Sequence, residues 1–318
     1  MSSNINQDNK SLPEVCIKGE IKVEKGTNSY IRIINSYENY LREKNKFEKR
    51  VEDTIKLHNE DEIKGSIIIR INEKPIDFSY YHIFEEAKNY KIEYRFNKKL
   101  TKTNHMFYDC HKLNKLDFSN FDTQDVTDMK EMFSFCESLK ELNLSNFNTE
   151  KVTNMSGMFD SCKALERLNI SSFNTIKVTD MSWMFCNCYI LEKIDLSSFN
   201  TIKVTDMSWM FTGCESLKEL NLSNFDTKNV TNMNGMFFGC YYLKELDLSN
   251  FNTENVINMN EMFKNCLSLE KLDLSNFTIN KNCEKNDMFS ECDSLDNKDQ
   301  IEYKLEESKR DDGCCSIF

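Results

Sequence analysis

Phenylalanine recurs along this chain at a fixed interval of 26 residues, at Phe107, Phe133, Phe159, Phe185, Phe211, Phe237, Phe263 and Phe289. Cysteine keeps step three residues later, at Cys110, Cys136, Cys162, Cys188, Cys214, Cys240, Cys266 and Cys292. A constant period of about 20–50 residues marks a repeat architecture, in which each unit buries its apolar stripe only against its neighbours. No other fold class tolerates so strict a period over so long a stretch.

Within one unit, Leu142 and Leu144 alternate with polar Glu141, Asn143 and Ser145. Such alternation is a short strand with one buried face. The pair recurs at Leu220/Leu222, Leu246/Leu248 and Leu272/Leu274, with Leu168/Ile170 and Ile194/Leu196 as variants. Stacked in register, these segments predict a parallel sheet with one short strand per coil. Val152 follows, and then Met155, Met158, Phe159, Cys162 and Leu165 fall at helical spacing. That stripe predicts one short helical turn per coil, its methionines filling core gaps. Two polar ladders keep the same period: Asn146, Asn224, Asn250 and Asn276, and Thr123, Thr149, Thr175, Thr201, Thr227 and Thr253. Asn and Thr at fixed bends satisfy backbone groups locally or from coil to coil. In the last coil Asn282 and Lys285 stand where Val256 and Met259 would recur. A degraded end repeat is expected of a cap.

The eight periodic cysteines read as a buried ladder of small hydrophobes. Stacked about 4.8 Å apart, they are geometrically open to disulfides. The N-terminal MSSNINQDNK has no apolar core, so the expected compartment is the cytosol, where thiols stay reduced. Cys186 and Cys188 form CxC rather than CxxC, and no histidine lies beyond His111. No metal and no cofactor are expected. The net charge of −11 argues against nucleic-acid binding. No apolar run is long enough to span a membrane.

The first hundred or so residues do not repeat. Residues 1–14 are polar and expected to be disordered. Cys16–Val23, Ser29–Ile34, Gly65–Ile71, Ile76–Tyr81 and Tyr90–Phe96 read as strands, with a turn at Asn72–Pro75. Charged residues from Tyr37 to Glu62 fit a helix or a flexible connection. The organisation expected is an α+β chain: a β-rich N-terminal domain or cap over residues 15–104, a solenoid over 105–295, and a polar tail over 296–318.

The tail ends Cys314-Cys315-Ser316-Ile317-Phe318. Cys315 to Phe318 fits the CaaX pattern for prenylation, and terminal Phe favours a geranylgeranyl group. One lipid holds a protein only marginally, so palmitoylation of Cys314 would supply a second anchor.

The pattern LxLSNFNTxxVTxMxxMFxxCxxL, from about Leu113 to Leu295, resembles the bacterial surface protein 26-residue repeat family, of the BspA-type leucine-rich-repeat-like kind, which also occurs in protists. The resemblance implies a right-handed leucine-rich-repeat-like solenoid, and it brings no catalytic residues. Many members are taken to be surface or adhesion proteins.

A solenoid binds through its outward positions. Along the strands these are Asp117, Asn143, Asn169, Asp195, Asn221, Asp247 and Asp273, a polar, mildly acidic face. At one position of the helical turns, Trp183 and Trp209 stand where other coils carry Glu or Gly. Ile176, Ile202, Tyr189, Tyr241 and Tyr242 add apolar surface in the same central coils, and such clusters are candidate partner-binding anchors. A simple duplication also accounts for both tryptophans, because residues 171–185 and 197–211 are identical.

The leading expectation is a non-enzymatic scaffold, prenyl-anchored to the cytosolic face of a membrane, that binds protein partners and no small-molecule substrate. The alternative is an exported, adhesion-like repeat protein at the cell surface. An enzyme stands third, because His58, His82 and the nearby carboxylates form no recognisable constellation.

Overall fold

Ile17, Ile21, Ile69, Ile71, Ile92 and Tyr94 are the apolar members of alternating runs, and all six are buried on one side of a single sheet. The structure is a computed structural model that describes residues 15–25, 30–47, 58–274, 276–296, 298–299, 301 and 315–316. The sheet has the order β4-β3-β6-β1-β7, from β1 (Cys16–Lys22), β3 (Ile67–Ile71), β4 (Lys74–Ile76), β6 (Asn89–Phe96) and β7 (Leu113–Asn120). β3 and β4 form a hairpin closed by Asn72 and Glu73, at φ 46° and 69°. Two left-handed residues make the tight turn whose twist suits a two-residue hairpin. Gly19, in β1, is fixed by its neighbours: a Cβ there would lie 2.9 Å from Ile92 and 3.1 Å from Leu116.

β1 pairs with β6 along one edge and with β7 along the other, both antiparallel. Since β7 is the strand of the first repeat unit, the N-terminal sheet runs into the repeats without a linker. A second ribbon pairs β2 (Tyr30–Arg32) with β5 (Tyr81–Ile83). The expected strand over Ile76–Tyr81 is therefore split. Its ends belong to β4 and β5, and residues 77–80 carry neither strand. Two helices, α1 (Tyr37–Phe47) and α2 (Glu60–Ser66), occupy the ends of the charged stretch. Residues 1–14 lie outside the described residues.

From Lys102 on, the chain winds in coils that meet in parallel. Single parallel bridges join Lys102 to Asp128, Asp128 to Asn154, Asn154 to Asp180, and so on at the same interval to Glu284. Phe133, Phe159, Phe185 and Phe211 stack ring on ring with centroids 5.6–5.8 Å apart. A second file, Phe147, Phe173, Phe199 and Phe225, stacks at 6.3–6.4 Å. Leu142, Leu144, Val152, Met155, Met158 and Cys162 fill the space between them and are essentially inaccessible.

Two expectations are corrected here. The short helical turn is absent: the described residues between 102 and 296 contain no helix. Two residues per coil, four apart, adopt left-handed backbone, such as Glu131 and Phe135, or Trp183 and Asn187. A left-handed residue interrupts an α-helix after fewer than four residues. The segment is instead a succession of tight turns whose free amides reach the next coil. Met129, Glu131, Phe133 and Phe135 donate to the carbonyls of Asn154, Ser156, Met158 and Asp160 at 2.8–3.1 Å. Of the intervening amides, those of Met132 and Ser134 bond three residues back, Met132 to Met129 O at 3.2 Å, and that of Lys130 bonds to Asp128 Oδ1 at 2.9 Å. We call this the Met-Phe wall.

The expected continuous sheet of Leu-x-Leu strands is intermittent. β8 (Glu141–Asn143) pairs in parallel with β9 (Arg167–Asn169), and β10 (Glu245–Asp247) with β11 (Lys271–Asp273). Residues 194–196 and 220–222 form no strand. This Leu wall is held largely by side chains. Asn146 Nδ2 donates to Phe118 O at 2.8 Å, and Asn224 and Asn250 repeat the contact three and four coils further on. Thr149 Oγ1 donates to Asn174 O at 3.0 Å and accepts from the Asn174 amide at 2.7 Å. Both polar ladders thus join coil to coil.

The cysteine ladder is more than hydrophobic filling. Each thiol from Cys136 to Cys292 donates to the carbonyl of the Phe 29 residues earlier, as Cys188 does to Phe159 O at 3.3 Å. Among the described residues the eight ladder cysteines, Cys186 and Cys283 are buried free thiols. In the last coil Cys283, not Asn282, takes the buried place of Val256, its amide bonding to Asn280 O as Val256 bonds to Thr253 O. β12 (Thr278–Ile279) then pairs antiparallel with β13 (Cys315–Ser316).

Candidate interaction surface

The left-handed residues of the Met-Phe wall fall at the same two positions of each coil and so form files along the stack, mostly at its surface, with the side chains of His105 and Ser161 buried. The first file reads His105, Glu131, Gly157, Trp183, Trp209, Gly235, Glu261 and Asp287. Large members lean toward the following coil. A Cβ on Gly157 would lie 2.8 Å from Glu131 Cγ, and one on Gly235 would lie 2.4 Å from the Trp209 ring. Glycine at these positions tolerates the left-handed backbone and leaves room for the side chain that lies over it.

Trp183 and Trp209 stack with centroids 5.4 Å apart and planes 26° from parallel. Trp209 also meets Phe238 at 6.0 Å. Trp183 remains 43% exposed, whereas Trp209, seated over Gly235, is half-buried. The sequence pattern that marked the two tryptophans therefore locates a joined aromatic platform. It missed Phe238, whose equivalents are Ser134, Asp160, Cys186, Thr212 and Lys264. The signal available was a phenylalanine in a file that in the central coils otherwise holds Asp160, Cys186, Thr212 and Lys264.

The other expected residues do not all join this platform. Ile176 and Ile202 are exposed, at 41% and 43%, but they sit at the bend where Asn174 and Asn200 side chains cap their amides. Tyr189 is half-buried beside Gly213, which its ring would meet at 3.5 Å from a Cβ. Tyr241 is half-buried beside Gly239, and Tyr242 is 61% exposed. No ring contact links these tyrosines to either tryptophan among the described residues. Cys314 lies outside the described residues, and of Cys315 only the backbone pairing in β13 is described.

Polar groups flank the platform. Asp160, one coil before Trp183, accepts from Ser161 Oγ at 3.0 Å and lies 3.4 Å from Ser134 Oγ. Burial pushes its carboxyl above the ordinary range; the Ser161 hydroxyl opposes that rise and the Glu131 carboxylate adds to it. Burial acts the same way on Glu131, but there the contacts to His105 and Lys130 outweigh it and the carboxyl stays below its usual value. His105 Nε2 lies 3.3 Å from Glu131 Oε2, within ion-pair distance but outside hydrogen-bond geometry.

The outward strand residues behave differently. Asp117, Asn143, Asn169, Asp195, Asn221 and Asp247 each accept from the amide two residues on, at 2.9–3.2 Å. These side chains shape turns, so the mildly acidic face is committed to the backbone. In the N-terminal unit, Arg32 is buried and pairs with Glu43 at 2.6 Å and Asp109 at 3.2 Å, so the β2–β5 ribbon is tied to the first coil. His82 packs edge-on against Phe84 at 4.8 Å, and His58 lies 3.8 Å from Glu38.

No helix among the described residues is long and apolar enough to cross a membrane. No curated protein matches the chain. A family model described as "Mycoplasma protein of unknown function, DUF285" matches residues 79–190, 135–237 and 206–312. Together these matches run from residue 79 to 312, or 234 of 318 residues, and they begin inside the N-terminal unit rather than at the first Leu-x-Leu. With coils of constant length, files of like side chains and matches that overlap along most of its length, the chain belongs to this repeat family of unknown function.

Proposed function

We propose that this chain is a non-enzymatic scaffold: a right-handed, leucine-rich-repeat-like solenoid that binds protein partners through the Met-Phe wall and is held to the cytosolic face of a membrane by a prenyl group on Cys315. The observation that carries the binding half is the stacked Trp183–Trp209 pair with Phe238, exposed on a wall whose backbone amides are used up between coils. Large aromatics in such positions are the usual anchors of protein interfaces. The anchoring half rests on Cys315-Ser316-Ile317-Phe318, with Cys314 as the site of a second acyl group. In this proposal β13 leaves β12 when the tail is modified.

Fractionation of the full-length protein beside Cys315→Ser, in cells that express it naturally, tests the anchor. Loss of the variant from the membrane pellet, with a prenyl-sized mass on the wild-type C-terminal peptide, is the expected result. Equal distribution of the two removes the anchor from the proposal. If intact cells then expose the protein to added protease, it works at the cell surface. For the binding surface, Trp183→Ala/Trp209→Ala is expected to lose the partners that the wild type captures; retention of all of them moves the binding site elsewhere.

A further inference from the structure

The aromatic platform sits on wall segments that carry no positive charge of their own, and the adjoining Lys163 is paired with Glu137 at 2.6 Å. Residues 154–162, 180–188, 206–214 and 232–240 make up the Met-Phe wall around it, and none of them is Lys or Arg. The flanking coils do carry cations there, at Lys130 and Lys264, and both are ion-paired. The same four segments hold three carboxylates, Asp160, Asp180 and Asp206. None of the three joins an ion pair among the described residues. Asp180 and Asp206 each accept from the amide and hydroxyl of the serine two residues on, at 2.6–2.9 Å. Asp160 is the costly one: it is half-buried, held by hydroxyls and the Cys186 thiol rather than by an ion pair, and next to a second acid, Glu131. An acid kept in that position with no ion pair of its own lowers stability, which is what a group reserved for a ligand does.

Trp183 offers the matching aromatic surface. One of its faces is occupied by Trp209. On the other side the file holds Gly157, with the Glu131 side chain lying across it. The open indole face thus looks toward the coil that carries Asp160. A cation over an indole face, with a carboxylate at its edge, is recognised by the ring quadrupole and by charge together.

We propose that this platform is a docking site for a basic peptide segment, which lays an arginine or lysine side chain over Trp183 with its charge at Asp160. The inference rests on the protein-binding reading above and names the chemistry of the partner. Charge complementarity selects this occupant over an apolar or acidic one: the net charge is −11, the wall segments carry three carboxylates and no cation, and the adjoining Lys163 is already paired with Glu137.

Trp183 and Trp209 are the only tryptophans in the chain, so intrinsic fluorescence reports on this patch alone. The experiment titrates full-length protein with a capped Gly/Ser-spaced arginine peptide, beside the same peptide with citrulline in place of arginine. A saturable change in tryptophan emission is expected with arginine and not with citrulline. Asp160→Asn is expected to weaken binding roughly tenfold, the scale of one partly desolvated cation–aromatic and carboxylate contact. The same variant is expected to unfold at a urea concentration equal to or above that of the wild type, which separates lost recognition from lost fold. Trp183→Ala is expected to abolish the signal, read from the remaining Trp209. Long-range attraction by the net charge alone would leave Asp160→Asn and wild type alike, and that result overturns the proposal, as does equal binding of the citrulline peptide or no saturable change. Captured partners lost in Trp183→Ala/Trp209→Ala, together with silence toward arginine peptide, would leave the scaffold standing and remove only this inference. If both fail, the platform is not the binding surface at all.

Discussion

The Leu wall and the Met-Phe wall are built from segments of the same coil, yet they hold the stack together in different ways. On the Met-Phe wall, alternate amides such as those of Met129, Glu131, Phe133 and Phe135 each reach a carbonyl of the next coil. On the Leu wall, strands pair only between β8 and β9 and between β10 and β11 among the described residues, and Asn, Thr and Ser side chains make most of the remaining links. The phenylalanine files follow suit, packing at 5.6–5.8 Å on the first wall and at 6.3–6.4 Å on the second. The wall with no regular secondary structure is the continuous one. Pairing between coils does not require φ/ψ values of a strand; it requires that amides and carbonyls point along the stack at the coil spacing.

The largest test of this contrast is in the core. Phe185→Ala removes a ring packed between Phe159 and Phe211, both 5.6 Å away, and is expected to cost about 3–5 kcal/mol. Leu196→Ala, in a coil whose Leu wall forms no strand, is expected to cost less, about 2–3 kcal/mol, because its surroundings can close in. Urea unfolding measures both. An equal or larger loss at Leu196 would mean that the Leu wall, despite its gaps, carries the stack.

A smaller effect isolates the left-handed positions. Gly235→Ala keeps the core intact but places a methyl at φ 59° within 2.4 Å of the Trp209 ring. The expected cost is about 1–2 kcal/mol, from left-handed strain and displacement of the indole, with a shift of tryptophan emission. Unchanged emission would show that Trp209 does not lie over Gly235 in solution.

The smallest effect is electrostatic and has opposite sign on the two walls. On the Leu wall, Ser197 holds the Asp195 carboxyl below its ordinary value, and Ser249 does the same for Asp247. A lowered acid contributes stability above its unfolded value, about 3.9, and loses it as pH falls through the folded value. On the Met-Phe wall the Asp160 carboxyl is raised, so its ionised form costs stability above the folded value, and falling pH relieves that cost. Between about pH 7 and pH 3.5, Asp195→Asn is expected to lose less stability than the wild type, and Asp160→Asn more. Both differences are small, because Asp195 is exposed. Parallel curves for all three proteins would remove the distinction.

The fold was legible in outline because a repeat prints its period in the sequence. The coil length, the files of Phe, Met and Cys, and the Asn and Thr ladders all follow from residues 26 apart. The tryptophan pair was legible for the same reason, as an irregularity against a regular background. The helical turn was misread because Met155, Met158, Phe159 and Cys162 have helical spacing in sequence, while Gly157 and Ser161, both left-handed, break the helix between them. In other coils the same positions hold Glu131, Phe135 and Trp183, residue types that give no local sign of positive φ.

By itself, then, the sequence determined which side chains face the core and how far apart the coils repeat, since both follow from periodicity alone. Only the tertiary structure decided how the backbone pairs between coils, because the left-handed conformation at Glu131 or Trp183 is imposed by hydrogen bonds to the neighbouring coil and not by local preference. It also decided what the irregular residues do together. Trp209 meets Phe238, and Glu131 lies across Gly157 in front of Trp183, through contacts between coils that are adjacent in space but 26 residues apart along the chain.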